Sequence, residues 1–550
     1  MPLGLYYVAA VLKQHGYDVQ ILNWHRINET PEKIEKLLRA EKPDVVGFSI
    51  VHANRWGAVE IARVARQVDP RVTIVLGGIG ATFLWEHFLT HFSEIDFVVL
   101  GEGEYPFLNL VRHLETGGSP ATLAGIAYRQ DGIPVKSAMP AAVADLDELA
   151  DPAASFDYRH IALTRGCAGK CSFCGSPRFW GRRVRSHSAD YFVHQLELLV
   201  GRGIDSFYVC DDTFTLNRKR VISICRKIVH RKMNISWTAI SRVDSIDDQL
   251  LYWMRKAGCI QISYGVESGS EKIRRFLNKK ISTHQIVTAF ELTQKYGILA
   301  RAYFIYGCPG ESRETIAASL ELIQRIKPLG VIFYILDIFP GTALYEDFKR
   351  KMKLTDDIWL NRLEDIMYFE SDPNLTREMI LEFGQTLRTG FYRDLPGFVD
   401  ALQLIDDPSL VRQHSDFYSR LAMTFDHGDY SRVDAIEHKQ RLAEKLYHRA
   451  LDYYPNARAY LGLGILNQKG GDHRQAVDIV SRGLAHFPGD VQLNICLGVS
   501  LMNLQRYEQA LASFEKCAHV KEALSFAARC CSALGDENRA AVFAEKFEAL

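Results

Sequence analysis

The chain has 550 residues, 47% hydrophobic and 24% charged, with Lys plus Arg equal to Asp plus Glu at 66 each. At roughly 100–200 residues per domain that length implies three or four domains, and the ordinary globular composition excludes a disordered, collagen-like or disulfide-scaffold protein. Zero net charge offers no basic excess for gripping a nucleic acid backbone, so no nucleic acid partner is expected. No stretch approaches the ~20 apolar residues that span a bilayer. Residues 1–8 lack the basic region and cleavage site of a secretory signal, so a cytoplasmic location with reduced thiols is expected. The eleven cysteines, an odd number in a long chain, fit a disulfide framework poorly.

The predicted elements begin with an amphipathic helix over 5–15, stopped by Gly16. Strand patterns follow at 18–22, 45–50, 72–76 and 97–100, with helical patterns at 31–39 and 58–67 separating the first three. Alternation of this kind implies a doubly wound, mostly parallel sheet over residues 1–130, with ligands at the carboxyl ends of its strands. The loops there are Ser49 to Asn54, Gly77-Gly78-Ile79-Gly80 and Gly101-Glu102-Gly103-Glu104. Proline and alanine mark 131–157 as a linker. A second series over 158–350 has strand-like runs at 161–164, 207–210, 235–240, 259–266, 302–306 and 331–338. Six β/α units fit a partial (β/α)6 barrel, short of the eight of a full one. The rest reads as helix: an extension over 351–435, then repeats over 436–550. Gly464 and Gly498, Leu463 and Leu497, and Ala476 and Ala510 each lie 34 apart, a period that resembles tetratricopeptide repeats. An α/β fold with a C-terminal α-helical repeat domain is therefore expected.

The most informative run is Cys167-x3-Cys171-x2-Cys174, on the loop after the first barrel strand. Three thiolates at this spacing can wrap one centre, and soft ligands select zinc, copper(I) or an iron–sulfur cluster. Structural zinc takes four ligands, but no partner pair lies at finger spacing, and the next histidine, His187, is thirteen residues on. With Phe173 ahead of the third cysteine, the run resembles that of the radical S-adenosylmethionine (SAM) superfamily. That resemblance implies a 4Fe–4S cluster on Cys167, Cys171 and Cys174. Its open iron chelates SAM, and one electron, from a donor such as flavodoxin or ferredoxin, cleaves SAM to methionine and a 5′-deoxyadenosyl radical.

Later segments extend the likeness. Asp211-Asp212-Thr213-Phe214 ends the second strand, where a carboxylate suits the SAM ammonium; one of the two aspartates could instead cap the next helix. Gly265-Val266-Glu267 ends the fourth strand and resembles a segment near the SAM ribose or methionine part. Gly307 and Pro340 end the fifth and sixth, where glycines let backbone approach an adenine. Phe173, Asp211, Asp212, Glu267, Gly307 and Pro340 are thus the SAM-binding set that the resemblance implies. Arg178, Arg182, Arg183 and Arg185 are either a solvated loop or charge compensation for cluster, SAM or an anionic substrate. Cys210 and Cys308 read as small buried residues at strand ends. Cys496, Cys517, Cys530 and Cys531 read as helical core.

Pro2-Leu3-Gly4-Leu5, Val46-Gly47-Phe48-Ser49, the Gly77–Gly80 loop and Gly101–Glu104 together resemble the cobalamin-binding domain of class B radical SAM enzymes. By that resemblance Ser49, Gly77, Gly78 and Gly80 are the cobalamin-binding residues. Two departures stand out: the family opens with a strand before this segment, so either the start codon is placed too late or the sheet lacks one strand, and no Asp-x-His-x-x-Gly pattern supplies a histidine to cobalt. His52 and His87 lack that context and read as ordinary.

The leading expectation is a cobalamin-dependent radical SAM methyltransferase acting on an unactivated carbon, or phosphorus, of a small-molecule or peptide substrate. A second is radical cyclisation, rearrangement or oxidation with a vestigial or non-methylating cobalamin domain. A third is an interaction scaffold with a structural metal cluster, in which the repeats are the working part. In the enzyme readings the repeats recruit a carrier protein, peptide or other partner.

Overall fold

Apolar, β-branched runs at β1 (Val45–Ser49), β2 (Thr73–Gly77) and β3 (Phe97–Val99) pair in parallel, with Ser49 opposite Gly77 at their carboxyl ends. The computed structural model describes residues 3–23 and 31–550. It divides into two units, Met1–Glu291 with Ala300–Arg388, and Leu292–Leu299 with Thr389–Leu550. None of its helices among the described residues is long and apolar enough to cross a membrane.

The first sheet is larger than the alternation of strands and helices foretold. β4 (Ile126–Gln130) and β5 (Ile133–Lys136) extend it antiparallel, in the order β1-β2-β3-β4-β5. Their turn, Asp131-Gly132, has φ of +51° and +80°, as a two-residue hairpin matched to strand twist requires. The expected linker therefore begins as sheet. The strand expected at 18–22 belongs to no ladder. An extended segment without a neighbour gains no ladder hydrogen bonds, and Tyr17 and Val19 pack instead against Tyr7, Val11 and Leu108. The preceding helix is Leu3–Gln14, and Gly16 leaves it at φ +87°.

The second sheet has six strands in the order β13-β12-β11-β10-β9-β6. They are β6 (His160–Ile161), β9 (Ser206–Val209), β10 (Ser236–Ser241), β11 (Cys259–Glu267), β12 (Leu299–Tyr306) and β13 (Gly330–Ile335). The expected strand at 161–164 splits. Asp211 draws Leu163 N and Thr164 Oγ1 to its carboxylate, and β7 (Thr164–Arg165) pairs antiparallel with β8 (Arg185–Ser186). After β13 the helix Ala343–Met352 gives way to short 3-10 turns, Asp356–Leu360 and Tyr368–Ser371, where helix was expected. Buried Arg55 explains the difference: it donates to the carbonyls of Trp359, Asn361 and Leu363, which an α-helix would have used internally. Trp359 is fully buried in a core shared with Ile74, Leu76, Phe88 and Tyr345.

The second unit is helical, and neighbouring helices interlock small residues with rings. A Cβ at Gly462 would lie 2.2 Å from the Tyr447 ring, one at Gly483 2.8 Å from Tyr460, and one at Gly498 2.5 Å from Phe514. The periodic positions Gly464, Ala476, Gly498 and Ala510 thus lie where helix meets helix, and both alanines are fully buried. Cys496, Cys517, Cys530 and Cys531 are core, as expected.

Candidate functional site

Gly166, at φ +99°, turns the chain out of β7 into the cysteine run. Backbone contacts fix the loop: Ser172 N donates to Leu277 O at 3.1 Å, Leu344 N to Ser172 O at 3.2 Å, and Asn278 Nδ2 to Lys170 O at 2.6 Å. Cys167, Cys171 and Cys174 are half-buried free thiols. A Cβ on Gly169 would lie 3.3 Å from Cys167 Sγ and 3.9 Å from Cys171 Sγ, so two sulfurs flank a bare backbone. Burial raises the Cys171 thiol and pushes Cys174 up to about 11. A metal centre reverses that by binding the thiolate. Lys279 and Arg242 supply opposing positive charge at Cys171. A cavity of about 640 Å³ opens beside the loop, with Cys167, Gly169, Arg242 and Asn278 in its wall. His187 is remote in role: buried, it donates from Nδ1 to Asp147 and accepts the Tyr7 hydroxyl at Nε2.

The two aspartates part company. Asp211 is turned inward and buried, with both oxygens engaged, whereas Asp212 is exposed and receives the Ser176 hydroxyl just after Cys174. Neither caps the next helix, whose N-cap is Asn217. Burial pushes the Asp211 carboxyl up to about 7 against the pull of its hydrogen bonds. The folded state therefore holds a proton that the unfolded chain has released. Stability should fall as pH rises from about 4 to about 7, by at most on the order of 4 kcal/mol, and then level off. Glu311, which accepts from Cys308 N at 2.9 Å and is also pushed up to about 7 by burial, adds in the same direction. Urea midpoints across that interval test this: Asp211→Asn should flatten the slope, and a midpoint that rises with pH in the parent contradicts it.

Glu267 ends β11 at φ +67° and pairs with Lys279 at 2.7 Å, both nearly buried. Gly265 leaves the room: a Cβ there would lie 2.4 Å from Glu267 Oε1. Phe173 packs on Ile273, Leu277 and Leu336. Gly307, at φ +79°, directly follows β12, whereas β13 stops at Ile335, short of the expected 338, and buried Pro340 lies in the turn beyond it. Cys308 is buried, but Cys210 is exposed, contrary to expectation. Desolvation and neighbouring Asp211 push its thiol up to about 11, away from thiolate character.

The loops of the first sheet face the cysteine run. A Cβ on Gly175 would lie 3.6 Å from Ile79 and 3.8 Å from Phe83 and Phe339, and one on Gly341 only 2.2 Å from the Phe83 ring. Gly78 (φ +90°) and Gly80 have an internal reason to be glycine: a Cβ on either would lie 2.8–2.9 Å from backbone of Ile50 or Val51. Ser49 and Gly77 stand at the strand ends themselves. His52 stacks on Phe339 at 5.3 Å. Burial alone would lower its ring, but Asp337 and Asp365 outweigh that and raise it. Nearby, Glu102 and Glu104 meet Arg165 and Arg185 in a buried quartet, with Arg165 at 3.2 Å from Glu102 and 2.5 Å from Glu104. Arg185 is thus held by Glu102, while Arg178, Arg182 and Arg183 are exposed.

The family model described as B12 binding domain matches residues 1–111, and that of the Radical SAM superfamily matches residues 161–323. The chain is 32% identical over 359 residues to the uncharacterized methyltransferase PH0819 of Pyrococcus horikoshii, covering 63% of this chain and 78% of that protein. The chain belongs to the class B radical SAM superfamily. It is similar also to the anaerobic magnesium-protoporphyrin IX monomethyl ester cyclase of Rubrivivax gelatinosus, 28% identical over 386 residues, 66% of this chain and 69% of that one. In fold it resembles the radical SAM methyltransferase TsrM of Kitasatospora setae, solved with cobalamin and a 4Fe–4S cluster. The TM-score is 0.59 at 15% identity, over 82% of this chain and 96% of that one. A class B radical SAM protein is an enzyme, which removes the reading of the chain as an interaction scaffold with a structural metal. Lys279 and Arg242 were not legible as site residues because the thiol they act on, Cys171, lies far from them in sequence, and Arg185, singled out for its charge, could not be matched to Glu102, 83 residues away.

Proposed function

We propose that this chain is a cobalamin-dependent radical SAM methyltransferase acting on an unactivated carbon, or phosphorus, of a small-molecule or peptide substrate. The observation that carries the reading is the direct packing of the cysteine run on the glycine loop of the first sheet, through Gly175, Ile79 and Phe83. Two cofactor loops that touch can serve one substrate between them. When bound, the cluster supplies an electron to SAM and cobalamin carries the methyl group.

In this reading Cys167, Cys171 and Cys174 hold the cluster. Lys279 and Arg242 offset its negative charge. Asp212, outward and next to the loop, receives the SAM ammonium. Asp211 is a positioning residue that fixes Leu163 and Thr164 ahead of the loop. Glu267, anchored by Lys279, and the backbone at Gly307 and Pro340 border the SAM site, with Phe173 wedged behind the cluster loop. Ser49 and Gly77 face cobalamin, while Gly78 and Gly80 shape the loop that presents them. The helical unit serves to recruit a carrier protein, peptide or partner, as stacked helix pairs commonly do.

Anaerobic reconstitution with excess hydroxocobalamin tests the reading. About four irons and one corrin per chain are expected, with a product one methyl group heavier than substrate. Four irons without corrin, or a product of unaltered carbon count, would turn the assignment to cyclisation or rearrangement, which the likeness to the Rubrivivax cyclase also supports.

A further inference from the structure

His87 and His91 stand one turn apart near the end of the helix Trp85–His91, so they share a face. Their ring centroids lie 5.0 Å apart. His87 is 4% exposed, and neither of its ring nitrogens has a hydrogen-bond partner. A buried polar group left so is destabilising. Across from it, on the 3-10 turn Asp356–Leu360, Asp357 meets His91 Nε2 at 2.8 Å. One ring nitrogen from each histidine and an Asp357 oxygen all lie within 4.8 Å of one another.

We propose that His87, His91 and Asp357 bind one divalent ion of the zinc class, independently of the radical SAM centre. Two imidazoles and a carboxylate are a set that zinc takes, at bonds of about 2.0–2.2 Å. Closing the three donors onto such an ion requires small movements, and His91 and Asp357, with side chains 27% and 61% exposed, have the freedom to make them. The neighbouring carboxylate of Asp356 is engaged by Tyr345 and Lys349, which leaves the fourth position to water. The ion gives the buried His87 ring the partner it lacks. It also pins the helix Trp85–His91 to the turn that carries Trp359 into the core. The other converging group, His52 with Asp337 and Asp365, differs because its imidazole already faces two carboxylates, at 3.5 and 3.2 Å. In the sequence His87 reads as isolated; its i, i+4 spacing to His91 was the available sign.

The test is zinc chloride titration of the full-length chain against a chromophoric chelator, with Cys167, Cys171 and Cys174 changed to alanine to remove competing thiolates. The cluster-loaded wild type is then assayed for retained zinc. One tight site per chain is expected, weakened at least tenfold by Asp357→Asn and lost in His87→Ala and His91→Ala. Zinc should raise the melting temperature of the parent and leave that of Asp357→Asn unchanged. Asp357→Asn decides the matter if the His87 variant fails to fold, because its side chain is exposed. Absence of a tight site in the parent, or equal zinc affinity in Asp357→Asn, overturns the proposal.

Discussion

Changing Cys167, Cys171 and Cys174 together to alanine is expected to take bound iron from about four per chain to none and SAM cleavage to background. The denaturation midpoint of the apoprotein should scarcely move. The physical reason is a separation of duties within the loop. Its shape is held by the backbones of Ser172 and Leu344 and the side-chain amide of Asn278, and the half-buried thiols contribute little packing. Iron and sulfide assays beside chromatography of 5′-deoxyadenosine would show it. Cys210→Ala is the control: its thiol is outside the loop, so iron should be retained. A triple variant that keeps its iron would sink the assignment of the cluster to these residues.

The second large effect concerns Glu102. Replacing it with alanine leaves Arg185 without its carboxylate partner and Arg165 with Glu104 alone, both arginines about 8% exposed. An uncompensated buried charge costs about 3–5 kcal/mol, which a urea midpoint reads directly. Burial alone would lower Arg165, but Glu104 and Glu102 outweigh it and hold the guanidinium above its ordinary value, so it stays charged. Glu104→Gln should cost less, since Arg165 keeps Glu102. Because β7 runs straight into Gly166 and Cys167, Glu102→Ala should also reduce iron occupancy. The fourfold change Glu102→Leu, Glu104→Leu, Arg165→Met, Arg185→Met should recover much of the lost stability, because it removes all four charges of the quartet together. Recovery of none of it would mean that shape, rather than charge, governs this junction.

Local periodicity made much of the architecture legible. Six β-branched runs separated by helices became the six neighbouring strands of the second sheet, and the cysteine spacing announced its own loop. Three features were not legible, each for a physical reason. The hairpin of β4 and β5 was masked by prolines, although Asp131-Gly132 carried a turn of known type. The run at 18–22 has strand composition, but a strand exists only by pairing, and composition does not reveal a partner. The Glu102–Arg185 contact joins residues 83 apart, a distance at which no pattern in the chain constrains either side. Asp211 and Asp212 are alike in sequence and opposite in burial, a difference no local pattern announces because both lie beyond the end of β9 at Val209.

The fit of Phe83 over Gly341, and of Ile79 and Phe83 over Gly175, bears on how such a chain can be recombined. Exchange of the first α/β domain for that of a distant relative would bring a new side chain against a glycine with no space to yield. Chimeras should therefore express well only when the helix bearing Ile79 and Phe83 is inherited together with Gly175 and Gly341. Homologous exchange within this lineage should accordingly preserve the two halves as one heritable block.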